Sequence, residues 1–521
     1  MNNKGYQTML IALIVALGGL LMGFDASVIS GVIRFIEVDF ELTKLQIGWS
    51  VSSLTLTATL AMLVSGPLSN KIGRRKVLTY AAILYAISAI GSALSPDFVS
   101  LVIFRMIGGF GVGASLIIAP MYIAEIAPPH LRGRMVSFNQ LNIVIGISLA
   151  FFTNYLILQW SQSDSSWARQ LKFDEYTWRW MLGLETLPAI LYFFGLFFVP
   201  KSPRWLILKG RFDEAKVIMT RFTSEEIATQ ELEAIRKSLE EDVKKHEKVT
   251  VRDLFQPAMR LVLTIGIVVA VLQQITGINS VFFYAPMIFE QSGIGTDASF
   301  VQAILVGLIN LVFTVLAILF IDKLGRKPLL IFGVAGIALS MFVLSYGFKS
   351  ATYSLTSESI EMLEDAGVKE QLAPMIGSTF TSDVDYKRAL ESTLGITTAK
   401  EQESALLTAA ISMNPGLILF GILGFVASFA ISIGPVMWVL FSELFPNRIR
   451  GLAISFVGLI NSAVSFLIQL IFPWELNTLG SATTFLIYGL FAVAGFLFIL
   501  RYVPETKGKT LEELEKQLVK D

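Results

Sequence analysis

The sequence predicts an all-α membrane protein of about twelve transmembrane helices in two similar six-helix halves, and three observations carry that prediction. The 521 residues are 54% hydrophobic and only 16% charged, with a mean hydropathy of +0.65, which is too apolar for a water-soluble chain of this length. The apolar residues come in runs of roughly 20 or more, the number needed to cross about 30 Å of hydrocarbon. The loops between the runs repeat in the second half of the chain.

The runs fall near 8–33, 47–69, 77–95, 99–125, 135–158, 178–199, 259–290, 298–321, 328–347, 414–441, 450–472 and 480–503. The first, MLIALIVALGGLLMGFDASVISGVI, holds Asp25 as its one charge. A signal peptide is the competing reading, but its apolar core would be about 7–15 residues. Two polar stretches interrupt the series, a charged, helix-patterned segment at 201–258 and an insertion at 349–412 with ten acidic and five basic residues. The expected organisation is therefore an N-terminal bundle over 1–200, a helical linker over 201–258, a C-terminal bundle over 259–503 carrying the insertion, and a tail over 504–521.

Basic residues are retained on the cytoplasmic side. Lys71, Arg74, Arg75, Lys76, Arg132, Arg134, Lys323, Arg326, Lys327, Arg448 and Arg450 fall in alternate loops, so both termini and the linker are expected in the cytoplasm. The insertion is expected outside, as a solvated extra rather than a cap over a vestibule. The cellular placement this fits is a bacterial inner membrane. The loop GPLSNKIGRRK (66–76) recurs as LFIDKLGRKP (319–328), EIAPPHLRG (125–133) as ELFPNRIRG (443–451), and VPKSPRW (199–205) as VPETKGK (503–509). Two repeated halves with a site between them is a transporter architecture.

The absence of cysteine excludes disulfides and thiol chemistry, and equal numbers of acidic and basic residues give no support to a nucleic-acid partner. Gly109-Phe110-Gly111-Val112-Gly113-Ala114 imitates a dinucleotide fingerprint, but it lies mid-run with no strand before it, so close helix packing is expected. His130 and His246 fall in predicted loops, and no enzyme, cofactor or metal site is expected.

Charges inside hydrocarbon are costly and tend to mark a pathway. Asp25 lies eight residues from the outer end of the first run, about 12 Å deep, and Arg105 of the fourth run lies roughly 6–9 Å deep. The depths allow pairing, either as a proton switch in which protonation of Asp25 releases Arg105, or as a static structural pair. Glu185, a third intramembrane acid, is expected to make a structural contact on the cytoplasmic side. The seventh run carries Gln273, Gln274 and Asn279 around Gly277, followed by Phe282, Phe283 and Tyr284. Amides donate and accept, as a polyhydroxylated ligand requires, and rings suit its C–H face. Interhelical polar contact is the plainer reading. Gln140, Asn310, Trp438 and Asn461 add polar groups from four more helices, and a helix break is expected at Gly434-Pro435. Arg74, Arg75, Glu125, Arg132, Glu443, Arg448 and Arg450 at the helix ends suit either an Arg–carboxylate inner gate or simple topology determination.

The stretches GGLLMGFDASVISG, SNKIGRRK, RMIGGFGVG, PMYIAEIAPPHLRGRMVSFNQ, PKSPRWL, QQITGINSVFFYAP, GPVMWVLFSELFPNRIRG and VPETKGKTLEE together resemble the sugar porter family of the major facilitator superfamily over essentially the whole chain. The resemblance implies the major facilitator fold and transport of a monosaccharide across the lipid bilayer. It implies that Gln140, Gln273, Gln274, Asn279, Asn310, Trp438 and Asn461 contact the sugar and that Tyr284 and Phe283 help to gate it. In proton-coupled members the position of Asp25 is acidic and facilitators have an amide there, so a symporter with the proton as coupling ion is expected, a uniporter being the rival. A non-transporting sensor is the reading from another class. Ile147 stands where a proton-coupled member has a second helix-5 glutamine, Ser462 where a tryptophan is usual, Phe283 where a tyrosine is common, and Lys201 where the family has glutamate.

Overall fold

The computed structural model describes residues 3–127, 132–222, 225–244, 250–361, 363, 366–446, 448–509 and 511–518. Helices form wherever the apolar runs were read, because a backbone in lipid must satisfy its own polar groups. They are α1 (Asn3–Asp39), α2 (Lys44–Ile72), α3 (Arg74–Ala93), α4 (Phe98–Ile126), α5 (Arg132–Ser161), α6 in two pieces (Thr177–Gly183 and Thr186–Gly195), α7a (Arg260–Ile275), α7b (Ile278–Glu290), α8 (Thr296–Leu324), α9 (Arg326–Lys349), α10a (Pro415–Ile431), α10b (Ile433–Leu444), α11 (Arg450–Leu479) and α12 (Ser481–Tyr502). Among the described residues eleven segments are long and apolar enough to cross a membrane, and the divided α6 is the shorter twelfth. Its interruption has a local cause. Pro188 has no N–H to give the carbonyl of Leu184, and its ring crowds that turn. Several helices also outrun the apolar text: α1 continues through Glu37 to Asp39, since a helix has no reason to end where hydrocarbon does.

By packing, the chain forms two compact units. The first is Met1–Ala26, Ser53–Ala150 and Arg179–Thr250, and the second is Ser27–Ser52, Phe151–Trp178 and Val251–Asp521. The grouping cuts through α1, α2, α5 and the first piece of α6, and only its last boundary, Thr250/Val251, falls in the linker. In the first unit small residues bring helices into backbone contact. A Cβ added to Gly109 would stand 2.0 Å from the Thr57 hydroxyl, one on Gly113 would stand 2.1 Å from the Ala58 carbonyl, and one on Gly23 would stand 2.0 Å from the Ile143 carbonyl. The glycine-rich stretch of α4 is thus a seam against α2, as expected, and not a phosphate cradle. Large apolar side chains on the outward faces stay exposed, Phe198 at 80% and Phe332 at 78%, which is the pattern of a surface solvated by lipid rather than water.

The linker folds as three short helices, Pro203–Leu208, Phe212–Phe222 and Glu225–Lys244, around Leu206, Ile207, Ala215 and Ile218. The insertion is more than a solvated extra. It has its own core of Tyr353, Leu372, Tyr386, Leu390 and Leu406, with the Tyr353 and Tyr386 rings stacked at 5.3 Å. Its three-stranded antiparallel sheet has the order β2 (Thr379–Phe380), β1 (Thr352–Ser354), β3 (Ile411–Ser412). Because Gly113 has no room for a side chain, Gly113→Val should destabilise the first unit by about 1–3 kcal/mol or more through overpacking. A thermal-unfolding midpoint in detergent checks this, and an unchanged midpoint would contradict the seam.

Candidate functional site

In the first unit Asp25 and Arg105 meet, each 1% exposed. One guanidinium N–H donates to Asp25 Oδ1 at 3.3 Å and another to the Asp25 main-chain carbonyl at 3.5 Å. The second carboxylate oxygen, Oδ2, accepts no hydrogen bond among the described residues. A Cβ on Gly108 of α4 would stand 2.8 Å from Oδ2 and 2.4 Å from the Ser88 hydroxyl of α3, so glycine is what admits the carboxylate between the helices. The pair is therefore single-pronged on the acid side, with one oxygen held and the other open to a proton. Glu185 is 2% exposed and within electrostatic reach of both Asp25 and Arg105. The sequence reading put Glu185 on the cytoplasmic side. Counted from the start of its run at 178, Glu185 lies seven residues in, close to the eight that separate Asp25 from the end of the first run at 33, and that near match is the signal in the sequence.

In the second unit the amides form one network around a break in helix 7. Gly277, at φ 88°, occupies the left-handed region between α7a and α7b, and a Cβ there would also stand 2.5 Å from the Tyr488 ring. The turn leaves Gln273 and Gln274 at the end of one helix and Asn279 at the start of the next. Gln274 Nε2 donates to Gln273 Oε1 at 3.1 Å and to Asn461 Oδ1 at 3.2 Å. Asn461 Nδ2 donates to Gln273 Oε1 at 2.8 Å and to the Ala270 carbonyl at 2.9 Å. Asn279 Nδ2 donates to Gln274 Oε1 at 2.8 Å and to Ser465 Oγ at 2.7 Å, and Gln469 Nε2 donates to Ser465 Oγ at 2.7 Å. The Tyr284 hydroxyl donates to the Gln469 carbonyl at 2.8 Å, tying α7b to α11.

The break in helix 10 lies at Ser432, φ −125°, ψ −104°, earlier than the expected Gly434-Pro435. Pro435 bars the carbonyl four residues before it, that of Ile431, so the distortion falls just after that residue. Gln273 Nε2 answers two carbonyls of this first turn, Ile433 and Gly434, at 3.3 Å each. Trp438 follows on α10b, 44% exposed, its ring edge-on to Phe441 and 3.8 Å from the Cβ position of Gly458. Asn310 is buried on α8, Phe283 is buried on α7b, and Gln140 is exposed on α5; no described hydrogen bond ties these three side chains to the network. Ser465 and Gln469 escaped the sequence reading, although with Asn461 they make a polar stripe at every fourth position of α11.

The loop charges obey the repeat. In the first unit Arg74 grips Glu125 with Nε at 3.1 Å from both oxygens and Nη2 at 3.0 Å from Oε1, while the Ser202 hydroxyl also donates to Glu125. In the second unit Arg326 grips Glu443 at 2.8 and 3.2 Å, and Thr506 donates to Glu443 at 2.6 Å. Ser202 and Thr506 are repeat equivalents. Arg326, assigned only to topology above, is thus the partner of Glu443. Arg75 and Arg450 donate to the carbonyls of Phe197 and Phe445 instead of to a gate carboxylate. The Arg132 side chain lies outside the described residues.

Comparisons with known proteins follow the same lines. The model of the family described as Sugar (and other) transporter matches residues 11–363 and 393–518, leaving out part of the insertion. The chain is 35% identical to an arabinose-proton symporter of Bacillus subtilis, covering 98% of this chain and 95% of that one. It is 35% identical to a D-xylose-proton symporter of Escherichia coli, over 97% and 94%. Among solved structures it is similar to the partially occluded inward open conformation of the xylose transporter XylE from E. coli, with a TM-score of 0.73 and 32% identity over 97% of this chain and 100% of that one. With a family match across most of its length, relatives above the identity at which family is secure, and an all-α membrane fold built on the same repeat, the chain belongs to the Sugar (and other) transporter family and is a multi-pass membrane protein, not an enzyme.

Proposed function

We propose that the chain couples inward movement of a monosaccharide, a hexose or pentose, to protons by alternating access of two six-helix halves, 1–200 and 259–503. Both termini and the linker then face the cytoplasm and the insertion faces outside, as the basic loops favour. Relatives named as arabinose-proton and D-xylose-proton symporters support the class of substrate and of coupling, and a similar structure holds 6-bromo-6-deoxy-D-glucose.

One observation carries the coupling: a fully buried carboxylate with one oxygen on Arg105 and the other accepting no hydrogen bond among the described residues. Removing one partner of a buried ion pair leaves an uncompensated charge worth about 3–5 kcal/mol. Protonation of Asp25 therefore frees Arg105 only if something else takes the cation, and Glu185 is the carboxylate within reach. Such an exchange gives two arrangements separated by one proton, which is what a rocking carrier needs. On the sugar side, Gln273, Gln274, Asn279 and Asn461 already hold their amides in fixed orientation, and each bond they make to one another can be exchanged for one to a sugar hydroxyl. Gln140 and Asn310 supply further amides in this reading, Trp438 an indole face, and Tyr284 with Phe283 the outer gate. Arg74 with Glu125 and Arg326 with Glu443 clamp the inner one, to which the repeat also assigns Arg132, while Arg75 and Arg450 brace backbone carbonyls beside it.

In proteoliposomes Asp25→Asn is expected to retain sugar counterflow while losing accumulation against an imposed proton gradient; accumulation that persists would support a uniporter-like carrier in which Asp25 is structural. Asn461→Ala is expected to raise the KM for sugar about tenfold, equivalent to ~1.4 kcal/mol or one lost net hydrogen bond. Initial rates over a sugar series check it, and an unchanged KM would remove Asn461 from the binding surface.

A further inference from the structure

The insertion does something specific at the end of the second unit that carries it. It is anchored to the C-terminal helices at three places. Asp383 Oδ2 accepts from the Ser481 N–H and hydroxyl at 2.9 Å each, capping α12. Lys387 Nζ donates to Gln291 Oε1 at 2.6 Å, just past α7b, and pairs with Glu403 at 2.8 Å. The hydroxyls of Thr296 and Ser404 meet at 3.3 Å, at the start of α8. From this base, the short helix Ile396–Glu401 extends Lys400 to the turn between α1 and α2. There its ammonium donates to the Leu42 carbonyl at 2.9 Å and stands 3.9 Å from Glu37, which Lys44 also holds at 2.6 Å.

Beneath Lys400, Arg34 of α1 pairs with Glu290 of α7b at 2.8 Å. The space enclosed by Ser30, Ile33, Arg34, Met287, Glu290 and Lys400 is only about 50 Å³, room for a few waters and too small for a monosaccharide. The same end is shut by a backbone approach, because a Cβ on Gly48 of α2 would stand 1.9 Å from the Leu470 carbonyl of α11. Within this unit, then, α1 and α2 are closed against α7b and α11, and the insertion lies across the closure.

We propose that the insertion is a latch, mounted on α7b, α8 and α12, whose Lys400 holds the α1–α2 turn and keeps this mouth of the pathway closed. Opening the mouth requires the turn to leave α7b, and Lys400 must then release the Leu42 carbonyl and Glu37 while its mount stays in place. Burial raises the Glu403 carboxyl, but the charges of Lys387 and Lys44 hold it down, at about 2, so this pair of the mount stays ionised throughout the physiological range. Without it, the open state becomes relatively more populated and substrate arriving at this mouth binds with a higher apparent affinity.

The chain has no cysteine, so single thiols report cleanly. Ile33→Cys, 2% exposed in the closed mouth, is labelled by a membrane-impermeant maleimide added on the insertion side. Lys400→Ala on that background is expected to raise the labelling rate about two- to tenfold, the range one hydrogen bond supports, and to lower the KM from that side by a similar factor. Lys400→Arg should restore both. Equal labelling and KM in all three would overturn the latch. A Glu37→Cys, Lys400→Cys double variant bridged by a short bis-thiosulfonate should stop counterflow until reduced, whereas full counterflow while bridged would also overturn it. The inference rests on the alternating-access reading, so counterflow by the unmodified chain in the same vesicles is measured first; its failure would fault that reading and leave the labelling comparison to judge the latch.

Discussion

A charge cannot stand alone in hydrocarbon, and that constraint shapes this molecule. Asp25 and Arg105 are both buried, so each is tolerable only because the other is there. Their meeting depends on α4 lacking a side chain at Gly108, and Glu185 on the divided α6 supplies the further carboxylate that such a pair needs if it is to change partner. The contrast with the loop pairs is instructive. Arg74 and Arg326 grip Glu125 and Glu443 two-pronged, with Ser202 and Thr506 donating to the same carboxylates, as a clamp would. Asp25 keeps one oxygen without a hydrogen bond among the described residues, as a switch would.

Backbone obeys the same constraint. Helices 6, 7 and 10 are interrupted near Pro188, at Gly277 and before Pro435, and at each interruption polar groups are released that must find partners. Beside the breaks in helices 7 and 10 the amides bond to backbone as well as to one another, Gln273 to the Ile433 and Gly434 carbonyls in the first turn of α10b and Asn461 to the Ala270 carbonyl of α7a. The breaks and the polar network are therefore one feature. The amide cluster gathers where helices 7 and 10 are interrupted, an arrangement of broken helices and polar groups that transporters use at their sites.

The twelve spans and the repeat were legible because hydropathy is additive along the chain and the loop motifs are local. Asp25 and Arg105 were legible because a lone charge in an apolar run has little alternative to pairing. Less legible were features set by position across helices. The depth of Glu185 was recoverable by counting from the start of its span. Ser465 and Gln469 were visible as a stripe with Asn461 but looked like ordinary small polar residues. Arg326 looked like topology until Glu443 was found beside it. The fold of the insertion was not readable at all, because its elements are short and its core is made by residues far apart, such as Tyr353 and Tyr386. Lys400 could not have been distinguished from any surface lysine.

The central claim is that sugar and proton cross together because one buried carboxylate must be protonated for the carrier to turn over. Its most direct test follows external pH in lightly buffered, de-energised proteoliposomes as single monosaccharides are added, with sugar uptake measured in parallel. The account predicts that sugars which enter also cause saturable alkalinisation outside, with the same concentration dependence as uptake. Saturable sugar entry with no movement of protons would contradict it.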